Sequence, residues 1–284
     1  MRVLLTNVEE VFREAAARWT LLAYFFLSSL FILIFSLAVN LDVVDGALAG
    51  AKLFGNSVEM SGTSVSLEKL VLGFESGFSA FLFLIGTFLA VFATAHLVPR
   101  LMEKGTIDLY LSRPIPRVKL LLSRYVAGLA LAAANLVYLI GSIWLIVIWK
   151  TGVVHPRFLL GGLVILFTIS VLLAFAFLVG VVTSSTAVSI MTTYGVFFFS
   201  ALLVAHEKIE AAISVEWRAQ LVHALYWIFP KTSELGQSVI ALVYGSEAPA
   251  ELTSALNPSV FLSTALFGIV CLTLALWLFQ RKEF

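Results

Sequence analysis

The chain has 284 residues, of which 61% are hydrophobic and 12% charged, with a mean hydropathy of +1.03. Soluble domains carry about 25% charged residues, so this composition describes an integral membrane protein and excludes a disordered chain. A net charge of +1 provides no basic field for nucleic acid, and the single Cys271 leaves no internal disulfide and no cysteine–histidine set with metal-ligand spacing.

In chain order, the first predicted element is an amphipathic helix over 6–18. Thr6 and Glu9 have capping-box spacing, and Val8, Val11, Phe12, Ala15, Ala16 and Trp19 recur at helical intervals opposite Glu9, Glu10, Arg13 and Glu14. It is read as lying on the membrane surface, against the simpler alternative of an extension of the first span. Stretches without Asp, Glu, Lys or Arg then cover 19–41, 76–99, 125–149, 158–206 and 252–280. About 20 apolar residues cross the hydrocarbon, so four of these hold one span each. The 158–206 stretch holds two, divided by the polar turn Thr183-Ser184-Ser185-Thr186. Six spans are expected, over 20–39, 76–98, 124–149, 158–182, 187–205 and 258–279, in a single all-α transmembrane domain covering 1–284. The first apolar run is too long for a signal core and is read as an uncleaved anchor.

Loops on the side of the termini hold eleven Lys/Arg and six Asp/Glu, against seven and eleven on the other side. The positive-inside rule therefore places both termini in the cytoplasm. The outer loop 40–70 carries turn signals at Asp45-Gly46 and Gly55-Asn56 and is compatible with a small hairpin. Glu75, just before the second span, is expected to reach the outer headgroups as a solvated carboxylate, the alternative being a functional acid among the path or helix–helix polar residues.

The segment 99–117 is the most informative part of the chain. Pro99 is expected to end the second span, Thr106 to cap a new helix, and Pro114 with Pro116 to stop it after about two turns. Ile107, Tyr110 and Leu111 would share one face, surrounded by Glu103, Lys104, Asp108, Arg113 and Arg117. So short a helix needs a surface to pack on. Asn135, near the middle of the third span, has Tyr138 one turn later; a polar amide in hydrocarbon faces either a neighbouring helix or a cargo path. Between the last two spans, 206–257 contains two apolar runs, Ala219–Pro230 and Leu235–Ser246, joined at Pro230-Lys231-Thr232-Ser233. Each is too short to cross, which suits re-entrant half-helices or an interface-resting loop.

Glu103-Lys104-Gly105-Thr106-Ile107-Asp108-Leu109-Tyr110-Leu111-Ser112-Arg113-Pro114-Ile115-Pro116-Arg117, placed between the second and third of six spans, resembles the cytoplasmic motif of ABC-2 type permeases, the membrane subunits of type V ABC exporters. The resemblance covers nearly the whole chain. It implies that Glu103, Gly105, Thr106, Ile107, Asp108, Leu109, Tyr110, Leu111, Arg113 and Pro114 form a coupling helix docking on a separate ATPase subunit. It further implies ATP and Mg on that ATPase, no cofactor on this chain, a second permease, either another copy or a related chain, and the plasma (inner) membrane of a prokaryote. By the family's pattern the cargo is amphipathic, lipid-linked or drug-like and moves outward. Alternatively, the dimer moves no cargo and transmits force to an extracytoplasmic protein holding 40–70 or 206–257. No phosphate-binding glycine loop occurs in this chain. An intramembrane serine protease is disfavoured, because Gly77-Phe78-Ser79-Ala80 lacks the final glycine of G-x-S-G, and His155, His206 and His223 are assigned to loops.

Overall fold

The computed structural model describes residues 19–44, 47–53, 56–57, 67–103, 105, 116–206 and 216–282. The surface helix expected over 6–18 lies outside these residues. The order is α1 (Trp19–Ala38), β1 (Val39–Val44), β2 (Ala47–Leu53), β3 (Asn56–Ser57), α2 (Leu67–Thr94), α3 (Leu97–Leu101), α4 (Arg117–Thr151), α5 (Arg157–Thr183), α6 (Thr186–Leu203), α7 (Glu216–Ile228), α8 (Thr232–Tyr244), α9 (Ala250–Thr253) and α10 (Pro258–Arg281). Helices dominate the described residues. The exception is one small antiparallel sheet, in which β2 pairs with β1 and β3 and a register shift falls at Asp42/Val43.

Among the described residues, five helical stretches are long and apolar enough to cross a membrane: Val71–Leu101, α4, α5, α6 and α10. The sixth expected span corresponds to α1, whose apolar stretch Leu22–Leu37 is shorter. At 1.5 Å per residue it covers about 24 Å, less than a typical hydrocarbon core of about 30 Å.

The second span differs from its expected bounds at both ends. α2 begins at Leu67 rather than 76, because Glu68, Lys69 and Glu75 do not interrupt the helical hydrogen bonding. Pro99 does not end the span: the chain breaks earlier, at Ala95-His96, and Pro99 sits in the first turn of α3. A proline ring clashes with the carbonyl four residues back and offers no N–H, so the break falls near Ala95 and the proline is accommodated where no helical donor is needed. α4 is longer than the predicted 124–149. Its 35 residues reach about 52 Å, so this helix projects beyond the hydrocarbon. It ends where Gly152 takes φ +71° and its N–H bonds Ile148 O at 2.8 Å.

The polar turn between α5 and α6 is tight. Ser184 takes φ +55° and donates its N–H to Gly180 O at 2.9 Å, while Ser185 Oγ caps α6 by accepting from Val188 N–H at 3.5 Å.

α5 is the central rod, packed against α10, α8, α4, α2 and α6. Its composition explains this, since it is apolar on every face and Ile169, Leu173, Ala176 and Phe177 are fully buried. α8 lies between α2 and α5, with Leu235, Val239 and Ala241 fully buried, and it approaches closely because glycines face its neighbours. A Cβ on Gly236 would stand 3.1 Å from the Phe83 ring, and one on Gly161 would stand 3.1 Å from Val239. The link into α8 is held by polar groups on two other helices. Thr232 Oγ1 donates to Phe197 O, Ser200 Oγ donates to Pro230 O, and Lys231 N–H donates to Thr264 Oγ1. The Lys231 ammonium stands over the Tyr226 and Trp227 rings at 4.1 and 4.2 Å.

α1 is attached to α4 by polar contacts that advance along both helices in the same direction. Ser28 Oγ donates to Asn135 Oδ1 at 2.9 Å, the Ser29 and Tyr138 hydroxyls are 2.9 Å apart, and Lys150 Nζ donates to Ser36 O. α1 therefore runs parallel to α4. Replacing Ser28 with Ala removes the bond to a buried amide whose Nδ2 already has no partner. The variant should lose about 1 kcal/mol in thermal unfolding of the detergent-solubilised protein. Adding Asn135→Leu should recover part of that loss, because no orphaned amide is left.

Candidate functional site

Several helix ends meet at one end of the bundle: α3, the start of α4, the α5–α6 turn and the end of α10. A second apolar core seats them, formed among others by Val98, Leu101, Leu120, Phe177, Val181 and Phe279. Two glycines allow the close approach of α3. A Cβ on Gly128 would stand 2.9 Å from Leu97 Cδ1, and one on Gly180 would stand 3.3 Å from Val98. The chain leaves this core at Leu101 and returns to it at Leu120. The segment between is therefore anchored at both ends on one apolar platform.

The exit from α3 turns outward. Met102 ends the helix, Glu103 N–H bonds Arg100 O at 3.2 Å, and Gly105 takes φ +87°, a conformation that disfavours any residue with a Cβ. Glu103 and Gly105 are exposed. Of the other predicted docking residues, Thr106, Ile107, Asp108, Leu109, Tyr110, Leu111, Arg113 and Pro114 lie outside the described residues. The return is fixed by Pro116, extended at φ −58° and ψ 133°, directly before α4.

The remaining candidates from the sequence are located elsewhere. Asn135 and Tyr138 join α4 to α1, so both make helix–helix hydrogen bonds. Glu75 is not a solvated interface group: it lies within α2, is 2% exposed, and its Oε2 is 3.1 Å from His155 Nδ1. The reason is the 152–156 connection, which brings the half-buried His155 over α2 and provides a hydrogen-bond partner in place of water. Trp144 fixes that connection by donating its Nε1–H to His155 O at 3.0 Å. The other Glu75 oxygen, Oε1, is buried without a partner. Ser79 Oγ donates back to Glu75 O at 2.7 Å. His223, assigned to a loop from the sequence, lies in α7.

Sequence reasoning overlooked the polar residues that bind the helix ends together. Arg117 Nη1 donates to Gln280 O and Lys282 O at 3.2 and 2.8 Å, and Lys282 Nζ donates to Val181 O and Ser184 Oγ at 2.6 and 3.0 Å. The available signal was cations near helix ends, which is common enough to pass as positive-inside charge alone.

The geometry presents exposed residues Glu103, Gly105 and Pro116 next to the packed ends of two membrane-crossing helical stretches. A family described as ABC-2 family transporter protein matches residues 11–284. The chain belongs to the ABC-2 family of transporter proteins. No curated protein sequence matches it. As an ABC-2 family member it is a multi-pass membrane protein and a permease-type subunit, a class that works with an ABC ATPase. Membrane subunits of this family are generally non-catalytic.

Proposed function

We propose that this chain is the membrane subunit of an ATP-driven exporter, and that residues 103–114 form the coupling helix through which a separate ATPase, carrying ATP and Mg, moves the bundle. The observation carrying this reading is that α3 and the start of α4, which flank 103–116 in the chain, are seated on one apolar core together with α5 and α10. A ligand-driven displacement of the segment would move the ends of several rods at once, because packed interiors shift as units. On this reading the segment, the α5–α6 turn and both termini face the cytoplasm of a prokaryotic cell.

Six spans are supported by α1 running parallel to α4, as the first and third spans of a chain entering from the cytoplasm must. α7 and α8 are then re-entrant half-helices, since α8 is enclosed by α2 and α5 rather than resting on the surface. Two copies would pair around a path for an amphipathic, lipid-linked or drug-like molecule moving outward. The described helices offer that path apolar walls, with no run of charges suited to ions.

A second reading, force transmission to an extracytoplasmic protein, is favoured by the β1–β3 sheet following α1 at the end away from the coupling segment. Reconstitution of the permease with its ATPase in liposomes separates the two. ATP hydrolysis stimulated by a lipid-linked amphiphile, with its appearance on the far face, is the expected result. Hydrolysis that responds only to an added external protein would favour force transmission. No nucleotide-dependent response in either setting would overturn both readings.

A further inference from the structure

We propose that Arg117 and Lys282 form a clasp that carries displacement of the coupling segment into α5 and α10, and that they act as positioning residues for coupling. The inference rests on the exporter reading above and extends it to residues outside the predicted docking set of 103–114.

The last turn of any helix leaves carbonyl oxygens unmet and carries partial negative charge, so cations settle there. Here the two cations are placed reciprocally. Arg117, the first residue of α4, reaches across to the end of α10, with Nη1 3.2 Å from Gln280 O and 2.8 Å from Lys282 O. Lys282, just past α10, reaches in turn to the end of α5, with Nζ 2.6 Å from Val181 O and 3.0 Å from Ser184 Oγ. Val181 O belongs to the final turn of α5, and Ser184 is its left-handed cap. One chain of hydrogen bonds thus runs from α4 through α10 to the α5–α6 turn.

Its starting point determines its role. Arg117 is separated from the docking residues only by Ile115 and Pro116, and the extended, ring-constrained Pro116 transmits displacement to Arg117 better than a flexible residue would. The apolar core beneath, including Phe177, Val181, Leu120 and Phe279, already holds these helices together. The clasp itself borders the solvent-facing end, where polar contacts contribute little to folding. Directional contacts that add little stability but connect three helix ends suit the transfer of movement.

The test uses the full chain in nanodiscs with its ATPase, in a Cys271→Ser background carrying a fluorophore on Val154→Cys, an exposed position at the opposite end. Three quantities are read: ATPase binding, ATP hydrolysis, and the change in fluorescence on vanadate trapping. Arg117→Gln with Lys282→Met should leave ATPase affinity within about twofold of the parent. The trapped-state fluorescence change should fall by at least about fivefold. Arg117→Lys with Lys282→Arg, which keeps the charges and donors, should restore much of it. A full fluorescence response in the Gln/Met variant would overturn the clasp, as would a loss of response that only tracks loss of assembled complex. If the parent chain itself fails to bind the ATPase, the exporter reading falls and the clasp's coupling role falls with it.

Discussion

Aspartate at both Ile107 and Leu111 is expected to abolish co-purification with the ATPase while leaving membrane insertion intact. The coupling helix proposed between Thr106 and Pro114 would have too few turns to be stable alone and would depend on the surface it docks against. That docking would bury Ile107 and Leu111, and a carboxylate in either place must be desolvated without a partner at a cost of several kcal/mol. Two such substitutions should weaken association by well over about a hundredfold, since each 1.4 kcal/mol is a factor of ten. Insertion should be unaffected because the platform formed by Val98, Leu101, Leu120 and Phe177 is untouched. Quantitative pull-down of the solubilised complex, with Lys119→Asp as a charge control beyond the motif, measures the effect. Retained binding in the double variant would count heavily against the coupling assignment.

His155→Ala is expected to be the most destabilising single change at the opposite end. The substitution would leave Glu75, 2% exposed, with neither carboxylate oxygen paired, because Oε1 has no partner even in the native chain. Orphaning a buried carboxyl costs about 3 kcal/mol or more. Glu75→Gln should cost much less, since an amide oxygen still accepts from the imidazole and no charge remains to be buried. The double variant His155→Ala with Glu75→Leu should recover most of the loss. Thermal unfolding in detergent gives the ranking. A His155→Ala variant as stable as Glu75→Gln would mean that the pair contributes nothing to holding α2 against the 152–156 connection.

Most of the helical frame was legible in the sequence because charges punctuate it: the bounds of α5, α6 and α10 fall within a few residues of the charge-free stretches. The Thr183–Thr186 turn was legible for the same reason, as four small polar residues in an otherwise apolar run can only be a connection. What escaped was the effect of tertiary partners. Glu75 looked like a boundary marker and is instead an interior residue of α2, because His155, eighty positions away, satisfies it. Pro99 looked like a terminator, but the break it causes falls at Ala95-His96. The enclosure of α8 between α2 and α5 depends on Gly161 and Gly236 facing Val239 and Phe83, a pairing that periodicity within one segment cannot reveal. At the coupling end, the motif was readable but the Arg117–Lys282 contacts were not, since they join groups 165 positions apart.

The most direct measurement is labelling of single cysteines at Glu103 and Val154, both exposed, in a Cys271→Ser chain within sealed membrane vesicles of each orientation. The coupling reading predicts that a membrane-impermeant maleimide reaches position 103 only from the cytoplasmic face, reaches position 154 only from the other, and loses access to 103 when the ATPase is bound. Labelling of 103 from the external face, or equal labelling with and without bound ATPase, would contradict it.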